Sequence, residues 1–153
     1  MPKYKTHLAG GLITFFIIFL ILQYLKIPLN YILLYITSCL TGSLFPDVDT
    51  KSKIQKILYF CLFFAVILTV FTQNWHFTAL LSLIAFIPLI VNHRKLTHRI
   101  WFIIFIPLFI PILIYYYNEK LIEPAFFSYI FFVSGSISHI WLDFGFKGIL
   151  RRK

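Results

Sequence analysis

Five histidines and five acidic residues are the only side chains of this chain suited to metal or acid–base chemistry in number. Seven of the ten, His7, Asp47, Asp49, His93, His98, His139 and Asp143, stand at the ends of apolar runs. Neutral imidazole and carboxylate together suit zinc, and carboxylate-rich mixed sets also suit manganese or iron. A tetrahedral catalytic site needs three protein ligands and one open position, so seven candidates leave room for one or two ions. The other three read as solvated or interfacial. His76 adjoins Trp75 in the polar turn Gln73-Asn74-Trp75-His76, and Glu119 and Glu123 share a loop with Lys120.

Each cluster has its own local logic. Thr6 can cap a helix and leave His7 in its first turn. His139 and Asp143 are four apart and share a helical face, where they can ligate one ion together or bond across to another helix. Asp47 and Asp49 diverge by about 200° on an α-helix but face one side in an extended turn. Pro46 favours the extended option, because a proline biases the residue before it away from helix. A plain polar turn, with Asp49 paired to Lys51 or Lys53, fits the same residues. In Asn92-His93-Arg94-Lys95-Leu96-Thr97-His98-Arg99 a helical loop puts Arg94 and His98 on one face, whereas a loop that opens at Lys95 lets both histidines converge. A basic headgroup anchor accounts for Lys95 and Arg99 but not for two histidines.

A membrane topology brings positions as far apart as 7 and 143 to one level. Apolar residues make up 60% of the 153 and charged ones 12%, against about 25% charged in soluble domains. A chain this size cannot bury that much Ile, Leu and Phe in one water-surrounded core. The expected fold is all-α, a single integral membrane domain over 1–153 that contacts the lipid bilayer directly. Six apolar segments are read at 8–25, 29–45, 57–72, 77–91, 100–117 and 125–142. The third and fourth are short and meet at the turn containing His76. Continuous rather than alternating apolar runs exclude a barrel. Pro28, Pro46 and Pro124 mark segment ends, and Pro88, Pro107 and Pro111 lie inside segments where neighbours can satisfy freed carbonyls. Ser134-Gly135-Ser136 and Ser138 form a small-residue stripe that admits a close helix.

Counting Lys and Arg by alternating side gives twelve on one side and, on the other, only Lys26 and Lys120. The positive-inside rule then expects both termini, and the His/Asp layer, in the cytoplasm. The net charge of +9 is spread over short clusters at segment ends. That pattern orients the chain and meets anionic headgroups, and no nucleic-acid partner is expected. Cys39 and Cys61 lie within apolar runs with no CxxC spacing, as small buried hydrophobes do. The first run lacks a small-x-small cleavage site and is expected to stay as a helix.

His7, then Gly42 with Pro46-Asp47-Val48-Asp49, then His93-Arg94-Lys95-Leu96-Thr97-His98, then Gly135 with His139 and Asp143 together resemble the YdjM-type inner-membrane metal-dependent hydrolases. The resemblance covers 7–143. That family is distantly similar to the zinc-dependent phospholipase C and P1 nuclease group, which implies phosphoester hydrolysis. Lys95 departs from the family's frequent glycine and Arg99 from its serine. Neither change removes a ligand, and both add charge near a substrate phosphate.

The expectation is therefore a multi-pass inner-membrane hydrolase with one or two divalent ions, zinc foremost. Its ligands would be His7, Asp47, Asp49, His93, His98, His139 and Asp143. Asp49 would accept a proton, and Arg94 would stabilise developing negative charge. Arg94 and Lys95 would contact substrate phosphate. A site at headgroup level favours an amphiphilic phosphorylated substrate such as a phospholipid. Two rivals use the same residues. An ion or solute transporter would line a pathway with them, but the outer halves of the segments are nearly devoid of ionisable groups. A non-catalytic scaffold would hold a structural metal in a closed ligand set.

Overall fold

The computed structural model describes residues 4–49, 53–75, 78–79, 81–82 and 97–150, with side chains described except at 49, 53–54, 58 and 146–150. Five α-helices are present among them: α1 (Tyr4–Gln23), α2 (Ile32–Leu44), α3 (Lys53–Phe71), α4 (Ile100–Tyr117) and α5 (Ile122–Leu150). Short 3-10 turns occur at Leu29–Tyr31, Phe45–Asp49 and Glu119–Leu121. No strand occurs among the described residues.

Four stretches are long and apolar enough to cross a membrane: Tyr4–Gln23, Leu29–Val48, Ile100–Tyr117 and Glu119–Gly145. At 1.5 Å per residue, twenty residues cover the roughly 30 Å hydrocarbon. These four correspond to the expected segments 8–25, 29–45, 100–117 and 125–142. Segment 57–72 is helical within α3, whose apolar part, Gln55–Phe71, is shorter than the other four. Segment 77–91 lies almost wholly outside the described residues. Among the described residues the candidate spans thus number four rather than six.

The chain divides into two compact units, Met1–Pro46 with His98–Lys153, and Asp47–Thr97. In the first, α2 packs most extensively on α5, α1 lies against both, and α4 lies on α5. Glycine makes the α2–α5 approach possible. A Cβ on Gly42 would run into the Phe132 carbonyl, and one on Gly135 into the Cys39 carbonyl. Small residues are what membrane helices use to bring backbones together when lipid supplies no hydrophobic drive. Phe15, Leu22, Ile27, Tyr35, Cys39 and Phe131 form the buried core of this unit. The Phe131 ring lies 5.3 Å from that of Tyr35 and 5.2 Å from that of Phe15. α4 holds Pro107 and Pro111 on its buried face, and Tyr129 of α5 donates to the Ile104 carbonyl at 3.0 Å beside them.

Exposed aromatic side chains mark both ends of this unit. Tyr4, Trp101 and Trp141 belong to one end, and Tyr24, Tyr116 and Tyr117 to the other. Amphipathic rings at two levels are the signature of membrane–water interfaces.

In the second unit α3 ends in a left-handed residue, Gln73 (φ 53°), with Asn74 N–H donating to the Thr69 carbonyl at 2.9 Å. This closes the helix and opens the polar turn expected there.

Candidate metal centre

α5 supplies the middle of the site. His139 and Asp143 lie one turn apart, with Nε2 of the histidine 3.3 Å from Oδ2 of the aspartate. His139 is completely buried, and the Asp143 side chain is 6% exposed. The other ring nitrogen, Nδ1, lies 2.7 Å from the Ser43 carbonyl of α2. A carbonyl only accepts, so the hydrogen bond assigns the proton to Nδ1. In the neutral ring Nε2 then turns a lone pair toward a carboxylate oxygen. Two acceptors facing each other in a buried place are stabilised by a cation shared between them, a proton or a metal ion.

α1 brings His7, its fourth residue, to the same point. The helix starts at Tyr4, so Thr6 lies inside its first turn and does not cap it as the sequence suggested. The His7 ring stacks on His139 at 3.8 Å and 16°. Its Nε2 stands 3.5 Å from Oδ1 of Asp143, the oxygen turned away from His139. Gly10 and Gly11 precede the span where α1 closes on its neighbours. A Cβ at Gly11 would stand 2.6 Å from Ser43 Oγ.

His98 precedes α4. Arg99 is extended (φ −85°, ψ 130°) and caps that helix, which turns His98 back into the cluster. Its Nε2 is 3.8 Å from Asp143 Oδ2, and its ring meets His139 edge-on at 5.7 Å. Thr97 beside it is buried. Asp143 therefore faces three histidines, from α1, from α5 itself and from the turn before α4.

Asp47 follows Pro46 directly, at the point where the first unit ends. The expected extended turn is not what forms. Phe45–Asp49 is a 3-10 turn that continues α2 without a break. Phe45 is helical (φ −56°, ψ −42°) although proline follows it. Packing explains the override: the Phe45 ring lies 5.3 Å from Phe132 and 6.4 Å from Phe102, and Pro46 is fully buried. The backbone here is helical rather than extended, so the alternation of an extended turn does not apply to Asp47 and Asp49.

His98, His139 and Asp143 each offer one ligand atom, and these atoms lie within 4.8 Å of one another. Asp47, with which the second unit begins, comes next in the chain after the buried Pro46. Imidazole nitrogens with carboxylate oxygen fit the donor chemistry of zinc and of the harder first-row ions. The Nδ1–H bond of His139 to a backbone carbonyl is the arrangement that orients metal-binding histidines. His7 stands against the outer oxygen of Asp143 and is not among the three. His93, Arg94 and Lys95 lie outside the described residues, as does His76. Of Asp49 only the backbone is described. Two contributors were not read from the sequence, the Ser43 carbonyl and Pro46.

No curated protein and no solved structure matches this chain. A family model described as YdjM inner membrane protein matches residues 1–148, which include every candidate ligand. With its membrane-spanning helices and that match over nearly its full length, the chain belongs to the YdjM inner membrane protein family.

Proposed function

We propose that this inner membrane protein is a metal-dependent hydrolase that acts on a phosphoester at the membrane surface. The observation that carries the reading is the face-to-face approach of His139 Nε2 and Asp143 Oδ2 at 3.3 Å. With the Nδ1 proton committed to Ser43, these two atoms call for a cation, His98 supplies a further donor beside it, and Asp47 completes the proposed ligand set. A divalent ion in such a set lowers the pKa of water and stabilises charge on oxygen, the chemistry that phosphoester hydrolysis needs.

The residues of the chain do the rest. His139 and Asp143 hold the ion on the most constrained helix, α5. His7 packs on His139 and orients the far oxygen of Asp143. Trp101 and Trp141, both exposed, flank the ligand-bearing ends of α4 and α5, which puts the ligands near headgroup level. That position supports an amphiphilic phosphorylated substrate. Asp49 as proton acceptor, with Arg94 and Lys95 as phosphate contacts, completes the proposal. The charge bias adds that the site faces the cytoplasm.

A structural metal is the alternative with an observation behind it, since His7 and His139 are at most 1% exposed. Transport fits less well, because the core of the first unit beyond the site is closed by apolar and aromatic side chains. The test is elemental analysis of protein purified without chelator, with assays on a panel of phosphoesters. At least one divalent ion per chain and turnover that is lost in Asp143→Asn are expected. Metal-free wild-type protein would sink the proposal, and stoichiometric metal with four protein ligands and no turnover would favour the structural reading.

A further inference from the structure

Pro46 is buried, sits between two helical segments, and has no backbone N–H to give. In an α-helix the N–H of residue 46 would go to the carbonyl of residue 42, and in a 3-10 turn to that of residue 43. α2 passes from one register to the other at this point. The Gly42 carbonyl already accepts the Phe45 N–H in the 3-10 register, so the carbonyl from which proline withholds a donor is that of Ser43. α5 takes it up: His139 Nδ1 donates to the Ser43 carbonyl at 2.7 Å. Ser136 Oγ, three residues earlier, lies 3.0 Å from both the Gly42 and the Phe132 carbonyls. The Ser43 hydroxyl takes no part, because it bonds back to the Leu40 carbonyl.

We propose that Pro46 is a positioning residue for the metal centre: by withholding its N–H it leaves the Ser43 carbonyl to His139, and so fixes which nitrogen of His139 faces Asp143. The meaning for metal binding rests on the reading given above, but the hydrogen-bond device does not. The two partners on α5 lie on one stripe. Ser136 and His139 are three apart, and Gly135 between the helices leaves no room for a methyl group. The stripe can therefore read two successive carbonyls only at this close approach. An ordinary helix-breaking proline would need no such partner. Its freed carbonyls would turn to water at the membrane surface.

Two measurements test this, one of them without metal. In chelator-treated wild-type protein labelled with nitrogen-15 histidine, His139 should carry its proton on Nδ1, and a proton on Nε2 would overturn the proposal. In Pro46→Ala, which restores a donor, cobalt(II) should bind about 10–100-fold more weakly than to wild type, the range seen when outer partners of metal ligands are lost. Its visible absorption should also change shape. Pro111→Ala, which alters a buried proline on another helix, should leave both unchanged. Wild-type cobalt affinity and spectrum in folded Pro46→Ala would refute the role. If Pro46→Ala does not fold, Pro46→Ser, which also restores the donor, serves in its place, with the same weakening expected and unchanged binding again refuting the device. If wild-type protein binds no cobalt, the hydrolase reading fails, while the nitrogen-15 result still decides the device.

Discussion

His139 uses its two ring nitrogens for different ends. Nδ1 is committed to α2 and Nε2 to Asp143. The consequence is measurable as linkage. A ligand at 100 times its Kd that binds only the folded chain adds about 2.7 kcal/mol, roughly 5–11 °C in Tm for a chain of this size. We expect that rise on adding zinc to chelator-treated wild type in detergent, followed by thermal unfolding. His139→Ala should abolish it. His7→Ala should keep most of it, because His7 stacks on His139 and approaches Asp143 at the oxygen that His139 does not, 3.5 Å away. An equal loss in both variants would place His7 inside the ligand set. The i, i+4 pair of His139 and Asp143 was legible because one turn of helix fixes their common face. The Ser43 carbonyl was not, since every residue carries one and only packing selects which is used.

Among the elements, the contact of α2 with α5 decides whether the ligands meet. Gly42 and Gly135 face backbone carbonyls, which cannot move aside. Gly10 faces the tip of the Leu142 side chain at 2.6 Å, which can rotate. Gly42→Ala and Gly135→Ala should each destabilise by about 1–3 kcal/mol or more, the range for overpacking. Gly10→Ala should cost less than either. Thermal or denaturant unfolding of the three variants checks the order, and a Gly10 variant as damaged as the others would contradict it. The helices themselves were readable from apolar length, and the small-residue stripe correctly announced a close neighbour. The 3-10 turn at Phe45–Asp49 was misread as extended. The local bias imposed by Pro46 is weaker than the packing of Phe45 between Phe102 and Phe132, and a single sequence displays only the first.

For the molecule as a whole, the basic residues predict the orientation. Twelve of fourteen Lys and Arg fall on one side by the sequence reading. Reporter fusions at each end should therefore both score cytoplasmic, and an external N-terminus or C-terminus would reverse the reading. A different consequence follows from the stack of His7 on His139, which joins the first helix to the last. Ribosomes add about 5–20 residues per second, so the 136 positions between His7 and Asp143 take roughly 7–27 s to make. Until then His7 waits in the membrane without its stacking partner or its carboxylate. The stack and the His139–Asp143 pair thus form only once α5 is made, and a nascent chain stopped before α5 lacks both of these residues of the candidate centre.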